Sequence, residues 1–144
     1  MRLKIFSMVV VMIFAVGLLG CASMSDVVKA KSDGTVEVYP VSSEQAWEIA
    51  RTVFRWEGTE AIEEHKAEGY MLTSSGMNFI SAGAFMGAWI EALDKNKTRV
   101  TVVTKRRVAT NIATTLTEST FHKRFAQAVA IVKNGKSLPS EPPE

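Results

Sequence analysis

The chain predicts an α+β fold: an antiparallel sheet of about four strands with two helices packed on one face, in the order strand, helix, strand, strand, strand, helix. Three observations point there. Thr35–Val41 and the start of Thr98–Val108 alternate with a period of two, which is a strand pattern. Ser42–Glu57 and Thr117–Asn134 repeat apolar residues at helical spacing. The polar turn Asp94-Lys95-Asn96-Lys97 separates two strand-like runs, as in a hairpin. Helices laid on one face of such a sheet bury both apolar surfaces in two layers.

The elements follow in order. In Thr35–Val41, Val36 and Val38 share one face and Glu37 and Tyr39 the other, and Pro40 marks the strand's end or an edge position. Ser42 and Gln45 have capping-box spacing at the start of the first helix. Ala46, Ile49, Ala50, Val53 and Phe54 form its apolar stripe, flanked by Trp47 and Trp56, and Gly58 suits the residue after its C-cap. Gly69-Tyr70-Met71-Leu72-Thr73 reads as a strand. Met77–Leu93 is apolar and rich in Gly and Ala and suits either one helix or one long strand with a flexible start; the polar turn that follows favours a strand over 85–93, paired with the strand after the turn. In that following strand Val100 and Val102 point inward, and Arg99, Thr101 and Val103 point the other way. Phe121, Phe125, Ala128, Val129 and Val132 share a face of the closing helix, and Gly135 ends it.

Composition sets the bounds. With 144 residues, 47% apolar and 22% charged, the chain suits one domain and excludes a large multidomain enzyme, a rod or a disordered protein. The formal charge of +2 comes from Arg2 and Lys4; the rest holds 15 basic against 15 acidic residues. A basic field for nucleic acid is therefore not expected. Ala22–Gly34 is small and polar and reads as a flexible tether; as a coil it would span about 20 Å. Ser137–Glu144 carries three of the four prolines and reads as a disordered tail. The folded domain is then 35–136.

The amino terminus is the most specific part of the chain. Basic Arg2 and Lys4 precede an uncharged apolar run over 5–20, which is the pattern of a secretory signal. Leu18-Leu19-Gly20-Cys21 resembles the lipobox of bacterial lipoproteins. The resemblance implies that Leu18, Leu19 and Gly20 guide signal-peptide cleavage and that Cys21 receives diacylglycerol and a further acyl chain. Cys21 is the only cysteine, so an intramolecular disulfide is excluded. Two alternatives stay open: an uncleaved anchor helix over 5–25, and an incidental cysteine in an ordinary signal. Ala22 and Ser23 stand where an Asp would mark inner-membrane retention, so the resemblance implies the outer membrane with the domain facing the periplasm. No cofactor is expected beyond the covalent lipid.

The order of Gly69–Thr73, Trp89-Ile90-Glu91-Ala92-Leu93, Thr98–Val102 and the closing helix resembles small BamC-like lipoprotein domains, and a family of small bacterial lipoproteins with no assigned function. That resemblance covers about 35–134 and implies fold and compartment rather than chemistry.

Candidate chemistry is sparse. Glu64, His65 and Glu68 could approach a metal, but their spacing is not diagnostic and a solvated charged stretch is the plainer reading. His122 is expected on a helix surface. Ser119, His122 and Glu118 would lie on one helix without the G-x-S-x-G context of a nucleophile elbow. Phe79, Ile80, Phe85 and Met86 would form an apolar contact patch if they project from the sheet. Lys105, Arg106 and Arg107 would meet anionic groups, on phospholipid heads or on a protein partner. The expectation is an outer-membrane lipoprotein whose domain is a non-catalytic binding or accessory module, in contact with membrane lipid through its anchor and with an envelope protein. The alternatives are an envelope enzyme or metal-binding protein built on His65, and a small-ligand carrier.

Overall fold

A computed structural model describes residues 22–75, 83–108 and 117–144. A short helix α1, Met24–Lys29, leads through a single 3₁₀ turn at Lys31–Asp33 into strand β1, Thr35–Tyr39. Helix α2 spans Ser43–Trp56, followed by β2 (Thr59–His65), β3 (Tyr70–Ser75), β4 (Ala84–Asp94), β5 (Lys97–Arg106) and helix α3 (Glu118–Lys133). The architecture is α+β, as expected, with one antiparallel five-stranded sheet in the order β1-β5-β4-β3-β2.

Helices α2 and α3 cover one face. The core beneath them joins Ile49, Val53 and Phe54 of α2 and Phe121 and Phe125 of α3 to Met71, Met86, Ala88, Val100 and Val102 of the sheet. The α2 cap forms as the sequence implies: Ser42 Oγ accepts from Gln45 N–H at 3.2 Å, and Gln45 Oε1 accepts from Ser42 N–H at 3.1 Å. Gly58 takes the left-handed conformation that reverses the chain after α2, with φ of 69°.

Four features differ from the sequence expectation. The fifth strand is β2, whose sequence Thr-Glu-Ala-Ile-Glu-Glu-His shows little apolar alternation. It is an edge strand, where charged residues are tolerated and discourage further pairing. Glu64 faces α2 and is stabilised by partners on that helix.

The expected tether is folded. Val27 of α1 is fully buried against the second face of the sheet, where it joins Ala30, Leu72, Trp89 and Val103 in a smaller core. Thr101 and Val103, expected on an outer face, are consequently buried. Residues 22–34 contain too few apolar groups to suggest a helix alone; Val27 is ordered because Trp89 offers it a surface. Beyond the reach of α1, Val36 and Val38 on the edge of that face stay 51% and 49% exposed.

The expected tail is docked as well. Trp56, nearly buried, donates its indole N–H to the Pro139 carbonyl at 3.0 Å, and Leu138 packs on the main core. A buried indole needs an acceptor, and the proline-rich segment supplies a carbonyl without needing a helix or sheet of its own.

The fourth difference is His122. It is 4% exposed rather than on the surface.

Candidate functional site

The two ends of the sheet are unlike. One end is closed by the turn between β2 and β3 at Lys66–Gly69 and by the turn between β4 and β5 at Lys95-Asn96. At the other end the start of β4, the finish of β5 and the start of the described chain converge. Ala22 donates its N–H to the Arg107 carbonyl at 3.3 Å, and Arg107 donates its N–H to the Gly83 carbonyl at 3.2 Å. The residue that follows Cys21 is thereby fixed beside the basic cluster.

Antiparallel register decides which way each side chain of that cluster projects. Phe85 pairs with Lys105 and Ala84 with Arg106. Phe85 is half-buried at the edge of the smaller core, and the Arg107 guanidinium lies over its ring at 4.5 Å from the centroid. That contact holds a cation in place without neutralising it. Arg106 is exposed and Lys105 partly so, and neither forms an ion pair with any described residue. Close by, the amide and hydroxyl of Ser23 both donate to Asp26 and hold its carboxyl below the usual range, with smaller contributions from Lys29 and Lys105.

Met86 was expected in the contact patch but is fully buried on the helix-covered face. Strand alternation explains this: Phe85 and Met86 cannot project to the same side. Phe79 and Ile80 of the expected patch lie outside the described residues, as do Leu18, Leu19, Gly20 and Cys21. Phe85 and Arg107, which the sequence assigned to two separate contact surfaces, meet here, and Lys105 pairs with Phe85.

The histidine candidates are engaged in packing. His65 stacks on Tyr70 with ring centroids 4.5 Å apart, and Tyr70 in turn meets Trp89 at 5.7 Å. Its Nε2 lies 2.5 Å from Glu63 Oε1. Glu64 points through to the opposite face, where it accepts from the Trp47 indole and the Arg51 guanidinium, each at 2.8 Å. Hydrogen bonds from Arg51 first, and from Trp47 second, depress its carboxyl from 4.5 to about 2. Neighbours on a strand face opposite ways, so Glu64 and His65 do not share a ligand. Among the described residues no group of three or more His, Cys, Asp and Glu side chains is arranged to hold a metal ion.

His122 sits between Tyr39, whose hydroxyl is 2.8 Å from Nδ1, and the Thr35 carbonyl, 3.2 Å from Nε2. A carbonyl only accepts, so Nε2 carries a hydrogen. The Tyr39 hydroxyl also lies 3.0 Å from Glu37 Oε2, and burial together with that acid pushes its phenol upward. Glu118 is not turned toward His122. Its carboxylate accepts from Thr104 N–H at 2.9 Å, from Thr35 N–H at 3.1 Å and from the Thr35 hydroxyl. Strand β1 ends its pairing at Thr35–Val102, and Glu118 satisfies the next free donor on β5. These interlocking contacts join distant segments, which single-sequence periodicity does not encode.

The layer between the sheet and its two helices is filled by Phe54, Phe121, Phe125, Met71 and Met86, all fully buried. A shallow cleft of about 240 Å³ lies between α2 and β2, lined by Arg51, Arg55, Thr59, Ala61, Ile62 and Glu64. No helix among the described residues is long and apolar enough to cross a membrane.

No protein-family model matches the chain, and no curated protein sequence matches it. Solved structures that overlap it weakly include the following two. A START superfamily protein from Mycobacterium smegmatis is 10% identical, with a TM-score of 0.42 over 71% of this chain and 93% of the other. The Zhui aromatase/cyclase from Streptomyces sp. R1128 is 15% identical, with a TM-score of 0.30 over 71% of this chain and 84% of the other. At these scores neither likeness bears on what this chain does.

Proposed function

We propose that this chain is a bacterial outer-membrane lipoprotein whose α+β domain is a non-catalytic binding module of the cell envelope. The observation that carries the reading is the Leu18-Leu19-Gly20-Cys21 sequence at the end of an uncharged run that follows Arg2 and Lys4. Two or more acyl chains on one cysteine anchor a protein durably, whereas one holds marginally. The domain then needs no membrane-spanning element. The engaged positions of His65 and His122 favour structural roles for both, which supports binding over catalysis.

Radiolabelled palmitate supplied to cells making the full chain tests the reading. Incorporation into the wild-type product and its loss in Cys21→Ser are expected. Equal labelling of both products, or of neither, overturns it.

A further inference from the structure

We infer that the basic end of the sheet, formed by Lys105, Arg106 and Arg107 beside Ala22, is a docking surface for anionic phospholipid headgroups of the membrane that holds the anchor. The inference rests on the proposed acylation of Cys21. The domain lies against the bilayer by a defined end and does not swing on a long tether.

Ala22 is hydrogen-bonded to Arg107, and α1 immediately buries Val27 against the sheet. Covalent geometry puts the Cα of Cys21 about 3.8 Å from that of Ala22. An acylated Cys21 therefore brings the lipid surface to Arg107 and its neighbours, well within the Debye length of about 8 Å at physiological salt.

Charge complementarity supplies the attraction. Arg106 and Lys105 are without an ion-pair partner among the described residues, and Arg107 is held over Phe85 rather than over a carboxylate. Basic side chains placed this close to an anionic surface each favour contact by roughly fivefold. The opposite end carries Lys95, in the β4–β5 turn, and Lys97, the first residue of β5. Along β5 they stand about 25 Å from Lys105, at the usual rise per residue. The same chain thus provides an internal comparison: three lysines on one hairpin, one at the docking end and two away from it.

The test uses the full chain made in a bacterial host, with its acylation established by mass, reconstituted into vesicles. Amine-reactive labelling of Lys105 is followed beside that of Lys95 and Lys97. In phosphatidylglycerol-rich vesicles, Lys105 is expected to label at least about fivefold more slowly than in phosphatidylcholine vesicles, with Lys95 and Lys97 unchanged. Raising the salt to 1 M, where the Debye length falls to about 3 Å, restores labelling. Arg106→Gln, at an exposed position, reduces the protection of Lys105 by about fivefold without altering the fold.

Acylated protein whose Lys105 labels alike in both vesicle types overturns the inference and leaves the lipoprotein reading standing. Protein without the acyl groups overturns both. Protection in native envelopes but not in anionic vesicles overturns the inference in favour of an acidic protein face.

Discussion

Gly87→Ala tests whether residues 22–34 are part of the fold. A Cβ at position 87 would lie 2.8 Å from two ring atoms of Trp89 and 2.8 Å from Val27 Cγ1. Ordinary contacts begin near 3.4 Å, so both neighbours must move by about half an ångström or more, at about 1–3 kcal/mol for an overpacked site. Trp89 is the less movable, because Tyr70 stacks on it and α1 covers it. Helix α1 is the weaker partner. Burying Val27 contributes about 2 kcal/mol and Ala30 about 0.8 kcal/mol, against the ordering of a six-residue helix. The substitution is therefore expected to free α1 and leave the rest of the sheet folded. Amide exchange at Val27 and Ala30 should quicken by about 10- to 100-fold, while Val100 and Val102 stay protected. Val27→Ala in the same chain removes one of the two clashes, so the double variant should be less destabilised than the sum of the single ones. Unchanged exchange at Val27 and Ala30 would refute the reasoning. Equal acceleration at Val100 would refute the local character of the effect. A freed segment would also let the domain swing about 20 Å from Cys21, so the variant should lose the protection of Lys105 at an anionic surface.

Further outcomes concern single contacts. Glu64 has its carboxyl depressed to about 2, so its contribution is complete above about 4.5 and is lost as pH falls through 4.5 toward 2. With Glu64 32% and Arg51 24% exposed, solvent screening reduces the effect to about 1 kcal/mol. Urea midpoints of wild type and Glu64→Gln should differ at pH 7 and converge near pH 2.5 if the reasoning holds. Glu118→Ala leaves the N–H of Thr104 without its acceptor and should cost about 1–3 kcal/mol, read as a lower thermal midpoint; Glu118→Gln should recover part of it. Tyr39→Phe removes the hydroxyl from His122 Nδ1 in a buried site and should cost about 1–3 kcal/mol in chemical denaturation, with the His122 ring resonances shifted in NMR.

Legibility in the sequence followed the range of the interactions. The Ser42–Gln45 cap and the stripe from Ala46 to Phe54 are local patterns, and both formed as read. The Asp94–Lys97 turn placed β4 against β5 correctly. Strand β2 was missed because its stabilising partners, Trp47 and Arg51, lie on another element. Met86 was misplaced because an apolar run does not reveal which alternate residues face the helices. The basic candidates were visible as a charge cluster, while their proximity to the chain entry was not.

By itself the sequence determined the fold class, the two long helices, the central hairpin and the compositional balance, because each depends on spacing within a few residues. The tertiary structure decided that 22–34 and 137–144 belong to the fold and that His122 is interior. It also set the residue after Cys21 against Arg107. A lone Val27 or Leu138 has no local partner that would order it. Only a surface assembled from distant strands and helices gives such a side chain somewhere to be buried.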